Sequence, residues 1–193
     1  FLLGLHSDNR SNFGFHVGAK TNLLMSLWER RFQDQVNWAS FISGGTASEA
    51  TARKLVGDAH DAYETALRSA TMVDFSLLED EVLHRLTSSQ LDDFTKDLRV
   101  VLVDEYQDSN LMQELIYFEL AKACKGAFTV VGDDDQSLYR FRGATVDLFR
   151  NFSSRYQAHF GSPLKTVFLT NNYRSTDQVI DLTNSYASLD TDY

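Results

Sequence analysis

The sequence predicts an α/β protein, a parallel sheet preceded by a largely helical half, and three observations carry that prediction. Three short apolar runs, Val100 to Val103, Phe128 to Val131 and Thr166 to Leu169, each lead into a polar loop. Between the first two lies a helix-length stretch, Leu111 to Lys125, whose broad apolar face (Leu111, Met112, Leu115, Ile116, Phe118, Leu120) suits a crossover helix on a parallel sheet. Before Leu98 the apolar residues recur at helical spacing instead, which divides the chain into a helical subdomain, 1–97, and a sheet-bearing portion, 98–193.

The elements follow in order. Leu23, Leu24, Leu27, Trp28, Arg31 and Phe32 form a first helical stripe, and Leu55, Ala59, Ala62, Tyr63, Ala66 and Leu67 a second. Ser43-Gly44-Gly45 is a turn between them, and Thr46 with Glu49 three residues later is a capping box that opens the second helix. Asp74 caps a third helix carrying Leu77, Leu78, Val82, Leu83 and Leu86. Val100 to Val103 is wholly apolar, as a strand covered on both faces should be, and Ser175 with Gln178 forms a second capping box before the last helix.

Chemistry concentrates where the strands end. The first strand delivers Asp104 and Glu105 to its carboxyl end, the edge at which open α/β sheets bind nucleotides. One carboxylate can hold Mg²⁺, directly or through water, while its neighbour orients and deprotonates an attacking water, which suggests ATP hydrolysis. An isolated Asp-Glu after a strand more often just opens a loop, so the reading depends on context. That context is Gly132-Asp-Asp-Asp-Gln136-Ser-Leu-Tyr139-Arg-Phe141-Arg142-Gly-Ala after the second strand and Asn172-Tyr173-Arg174-Ser175 after the third.

In this order and spacing, Asp104-Glu-Tyr-Gln-Asp108, the glycine-aspartate segment and Asn172-Tyr-Arg-Ser175 resemble motifs II, III and IV of the UvrD/Rep family of superfamily 1 DNA helicases. The likeness is firm from about Asp74 to Thr183, and Met72-Val-Asp-Phe-Ser-Leu-Leu78 is similar to the acidic-aromatic segment that precedes motif II. It implies part of a RecA-like P-loop NTPase domain, with residues 1–97 as the helical subdomain inserted in it. By resemblance Asp104 coordinates Mg²⁺ together with Glu105, and Glu105 is the general base. Gln107 and Asp108 extend the network around the γ-phosphate; for Asp108, capping the next helix is an equal alternative. Gln136 senses the γ-phosphate and links it to DNA, as a neutral amide can. Arg174 stabilises charge on the transferred phosphoryl group and Tyr173 stacks on adenine. Tyr139, Phe141 and Arg142 are the DNA-facing group, stacking on unpaired bases and touching phosphate, although core packing is the ordinary role of isolated aromatics. Phe141 departs from the family, which often has tryptophan there.

The resemblance further implies an ATP- and Mg²⁺-dependent 3′-to-5′ DNA helicase acting on single-stranded DNA and duplex junctions, with partners in repair or recombination. A helicase subunit of a helicase-nuclease and a non-hydrolysing DNA-binding or scaffold relative remain as alternatives. No segment matches the phosphate-binding Gly-x4-Gly-Lys-[Ser/Thr]; Gly14-Phe-His-Val-Gly18-Ala-Lys20-Thr21 has the wrong spacing. Without that loop or a second motor domain, the 193-residue chain is expected to show negligible ATPase activity by itself.

Composition narrows the remaining classes. Eighteen basic against 27 acidic residues give a net charge of −9, so DNA affinity must come from a local field, for which Arg140, Arg142, Arg150 and Arg155 after motif III are the candidates. Binding by the chain alone should be weak and strongly salt-dependent. The single cysteine, Cys124, excludes an internal disulfide and a cysteine metal cluster and is expected inside the helix after motif II. The five histidines lack ligand spacing. No membrane-spanning run or signal peptide is visible, so the expectation is a soluble protein of the bacterial cytoplasm, or of the nucleus in a eukaryote.

Overall fold

A computed structural model describes residues 17–136 and 146–189. Five helices come first: α1 (Val17–Gln33), α2 (Trp38–Ser43), α3 (Ala47–Ser69), α4 (Phe75–Thr87) and the single turn α5 (Asp92–Thr95). Strand β1 (Val101–Val103), helix α6 (Leu111–Ala123) and strand β2 (Phe128–Val130) then form one crossover unit, followed by α7 (Val146–Arg150), α8 (Phe152–Phe160) and α9 (Asp177–Ala187). By their contacts the residues fall into two units, 1–162 and 163–193.

The described residues are thus mostly helical, with a parallel two-stranded sheet in which Val101, Leu102 and Val103 face Phe128, Thr129 and Val130. The expected third strand, Thr166 to Leu169, has no regular secondary structure and joins no sheet among the described residues, and Phe168 is 82% exposed. Two-sided coverage of β1 is also not observed: Leu102 is 71% exposed, because the helices that pack on the sheet shield only alternate side chains. No described helix is long and apolar enough to cross a membrane.

Three helices meet at one carboxylate. Asp74 caps α4 as expected, its Oδ1 accepting from the Leu77 N–H at 2.8 Å, while its Oδ2 accepts from Trp28 Nε1 at 2.8 Å and from the Tyr63 hydroxyl at 3.1 Å. Trp28 lies at the centre of a core with Phe32, Leu77 and Met112. Met112 belongs to α6, so the helical half and the strand half share this core. Glu49 accepts from the Thr46 N–H at 3.0 Å in the expected box, and Gly45, in the turn, has φ +85°.

The second expected stripe holds at Tyr63, which packs against the Trp28 core, and is misphased before it. Leu55 is 38% exposed, and the buried face of α3 instead runs through Ala52, Val56, Gly57 and His60. His60 is held there by rings: it stacks on Trp38 at 4.9 Å and meets Trp28 edge-on at 5.2 Å, with Nε2 3.0 Å from the Leu24 carbonyl. Burial, the largest influence, lowers its pKa from the ordinary 6.5, and Arg31 adds to it. The unfolded chain then binds more protons than the folded one below pH 6.5, so stability is lost on acidification through that value and the loss levels off below the folded pKa. The slope is at most about 1.4 kcal/mol per pH unit. His60→Phe is expected to flatten this limb in denaturant titrations between pH 5 and 7; parallel curves for the two proteins would refute it.

Two helix ends differ from expectation. Helix α6 stops at Ala123 because Lys125 (φ +56°) and Gly126 (φ +82°) turn left-handed; Cys124 is its C-cap, buried as expected. Helix α9 has Thr176, not Ser175, at its N-cap position, without a side-chain cap bond, because the Asn172 side chain accepts from the Arg174 and Ser175 N–H groups, both at 2.9 Å, and holds those residues in a turn outside the helix.

Candidate functional site

Strands β1 and β2 pair in parallel, so their following loops leave the sheet side by side. Val131 N–H donates to Val103 O at 2.8 Å and Tyr106 N–H to Val131 O at 2.9 Å, which carries the ladder past both strand ends. Asp104 and Glu105 sit at this edge and are exposed. The Glu105 N–H donates to Asp104 Oδ1 at 3.0 Å, and Glu105 itself is left-handed (φ +53°, ψ +42°). That conformation costs a non-glycine residue on the order of 1 kcal/mol. It turns the chain into a 3₁₀ turn, Tyr106–Asp108.

Gln107 joins the two loops. Only 1% exposed, it donates from Nε2 to Glu105 Oε2 at 2.7 Å and accepts at Oε1 from the Asp133 N–H at 3.1 Å. Asp133 in turn accepts from Gln136 Nε2 at 2.6 Å and from the Asp135 N–H at 3.1 Å. A continuous hydrogen-bonded path therefore runs from Glu105 through Gln107 and Asp133 to Gln136. Gly132 makes the close approach feasible, since a Cβ there would lie 2.6 Å from Gln107 Oε1 and 3.0 Å from the Phe149 ring.

Asp108 does not cap the next helix. Asn110 does, through its side chain and the Gln113 N–H at 2.9 Å, with Gln113 Oε1 accepting from the Asn110 N–H at 3.2 Å. Asp108 keeps a buried Oδ1 without a hydrogen-bond partner, and its pKa is raised, first by burial and then by the Glu105 charge. The aspartates 133, 134 and 135 bring carboxylate oxygens within 4.8 Å of one another. Together with Asp104 and Glu105 they give the loop pair an acidic surface of hard oxygen donors, the donor type that Mg²⁺ takes.

Tyr173 and Arg174 lie in the second unit, residues 163–193, and both are exposed, Tyr173 to 92%. The Tyr173 hydroxyl accepts from Asn171 Nδ2 at 3.1 Å. Tyr139, Phe141 and Arg142 fall outside the described residues. The structure thus brings together Asp104, Glu105, Gln107, Asp108 and Gln136 within one unit.

The basic cluster expected after motif III is altered. Arg150 pairs with Asp134 at 2.8 Å, and Arg155 donates from Nε to both Glu114 oxygens at 2.6 and 2.9 Å. Two of the four arginines are therefore bound to carboxylates of this same chain. Glu114, Asp133 and Gly132 were not singled out as site residues in the sequence, and Arg155 was read there only as part of a basic DNA-facing cluster. The signal for Glu114 was an acid set between the apolar residues Met112 and Leu115 at the start of α6.

The family profile described as the UvrD/REP helicase N-terminal domain matches residues 8–157. An ATP-dependent helicase/nuclease subunit from Acetivibrio thermocellus is 37% identical over 143 residues, 67% of this chain and 11% of that protein. The ATP-dependent DNA helicase UvrD1 of Mycobacterium bovis is 34% identical over 152 residues, 75% of this chain and 19% of that protein. The ATP-dependent DNA helicase Rep of Buchnera aphidicola is 30% identical over 131 residues, 67% of this chain and 19% of that protein. The matched segment thus spans between 11% and 19% of the length of these relatives.

Proposed function

The chain belongs to the UvrD/REP helicase family, and from that premise we propose that it is part of an ATP-dependent motor moving 3′-to-5′ on single-stranded DNA and opening duplex junctions in repair, replication or recombination. We read residues 1–97 as the inserted helical subdomain and 98–193 as part of a RecA-like ATPase domain. The observation that carries this reading is the path from Glu105 through Gln107 and Asp133 to Gln136, which ties a hydrolytic carboxylate to a sensing amide.

In this reading Asp104 and Glu105 hold Mg²⁺. The donor set fits: the carboxylates are exposed hard oxygens, and a triphosphate brought to so acidic a surface needs a divalent cation between the like charges. When bound, the ion neutralises charge on the phosphates. Glu105 accepts the proton of the attacking water, and Gln107 fixes its carboxylate through the 2.7 Å bond. Asp108, with an unpartnered buried oxygen, extends the polar network at the γ-phosphate. Gln136 hydrogen-bonds the γ-phosphate and passes its presence to the Tyr139, Phe141 and Arg142 segment, which grips DNA. Arg174 supplies positive charge to the transferred group, and Tyr173 offers its face to adenine. A cytoplasmic, nucleoid-associated location suits this function.

Gln136→Ala in the full-length protein tests the assignment. Single-stranded DNA is expected to stimulate its ATP turnover about 100- to 1,000-fold less than in the wild type, the range for losing one well-placed donor, with nucleotide affinity retained. Unchanged stimulation would remove Gln136 from the mechanism. A second reading, the helicase subunit of a helicase-nuclease, is favoured by the Acetivibrio relative, whose name describes such a protein. ATP-dependent DNA degradation by the full-length protein would decide for it.

A further inference from the structure

We propose that the buried Glu114–Arg155 pair is a positioning device for ATP hydrolysis, supporting Tyr106 so that the residues on either side of it, Glu105 and Gln107, keep their places. The inference rests on the reading of Glu105 as the general base.

Tyr106 interrupts the relay in sequence and leaves it in space. Glu105 and Gln107 bond to each other, while the Tyr106 ring is fully buried and meets Phe152 edge-on at 4.8 Å, with Tyr117 and Phe149 at 6.1 and 6.4 Å. Phe149 also lies against Gly132, 3.0 Å from where a Cβ would stand, so one aromatic support touches both loops. Below it lies Glu114, 0% exposed on α6, gripped by Arg155 of α8 at 2.6 and 2.9 Å. The Tyr106 hydroxyl is buried without a hydrogen-bond partner of ordinary geometry; burial raises its pKa first, and the field of the Glu114 carboxylate adds to it.

A buried charge pair is seldom the most stable filling for its space; apolar residues of similar volume often match or exceed it. What it does supply is a fixed geometry, because a guanidinium on a carboxylate locks two helices in one register. Here α6 follows in the chain the turn that the left-handed Glu105 opens, and α8 reaches that turn through Phe152 against Tyr106. Reacting groups displaced by about 1 Å can lose on the order of a hundredfold in rate.

The test uses DNA-stimulated ATP hydrolysis by the full-length protein, with rates expressed per folded molecule from titration with a fluorescent ATP analogue. Glu114→Gln keeps the shape of the pair, and the double variant Glu114→Met with Arg155→Met replaces it by apolar side chains that preserve folding. Both are expected to lower kcat about ten- to a hundredfold while KM for ATP stays within about twofold, the mark of an interaction lost in the transition state. Arg155→Lys, which keeps the charge without the fork, should fall between them and the wild type. A double variant with kcat within about twofold of the wild type would show the pair to be structural only and overturn the proposal. Glu105→Gln serves as reference: if it is inactive and the double variant is not, only the positioning role fails. If it retains turnover, the base assignment fails and this inference with it.

Discussion

Glu105→Gln in the full-length protein is expected to lower ATP turnover by about 10²- to 10⁴-fold, the usual contribution of a general base, while leaving ATP binding intact. The substitution is nearly isosteric. An amide oxygen can still accept the 2.7 Å hydrogen bond from Gln107 Nε2, so the relay to Asp133 and Gln136 keeps its geometry. What is lost is the ability to take a proton from water. Phosphate release under DNA stimulation measures the first quantity and equilibrium binding of a fluorescent nucleotide the second. Turnover near the wild-type rate would refute Glu105 as base. A wild-type full-length protein that binds DNA but hydrolyses nothing would favour the scaffold alternative.

Trp28→Ala is the second substitution of large expected effect. Trp28 is completely buried, packs edge-on against Phe32, His60 and Tyr63 at 5.0 to 5.3 Å, and donates to the Asp74 carboxylate that caps α4. Truncating a buried tryptophan costs about 3–5 kcal/mol, a large part of the roughly 5–15 kcal/mol that holds a typical domain together. The cost should be shared across elements, because the same core includes Met112 of α6. Trp28→Phe, which keeps most of the apolar contact and loses the Nε1 bond to the part-buried Asp74 carboxylate, is expected to cost less, about 1–3 kcal/mol. Urea unfolding separates the variants, and an unshifted midpoint for Trp28→Ala would contradict a shared core centred on this residue.

Much of this arrangement was legible in the sequence, and the failures have physical causes. Local signals translated well: the Thr46–Glu49 box, the Asp74 cap, the turn at Gly44 and Gly45, and the β1–α6–β2 crossover depend on neighbouring residues and appear as read. The α3 stripe was right at Tyr63 but misphased before it, because a buried histidine between two tryptophans counts as polar in any periodicity argument. Ser175 was mistaken for a cap because Asn172 competes for its N–H, a choice that depends on backbone direction. The motif residues were identifiable by type and spacing, but the Gln107 bridge between two loops 26 positions apart was not, since pairing across a parallel sheet leaves no local trace. The same holds for Arg155, whose charge reads as a DNA contact until Glu114, 41 positions earlier, is seen beside it. No spacing rule links residues so far apart on two helices.

The most direct measurement is a structure of the full-length protein with Mg²⁺ and a non-hydrolysable ATP analogue. The expected result is the metal on Asp104, a water between Glu105 and the γ-phosphate, Gln136 and Arg174 within hydrogen-bond reach of that phosphate at about 2.7–3.2 Å, and Tyr173 against the adenine. A nucleotide bound away from the loops that follow β1 and β2, or a γ-phosphate beyond reach of both Glu105 and Gln136, would contradict the proposed motor site.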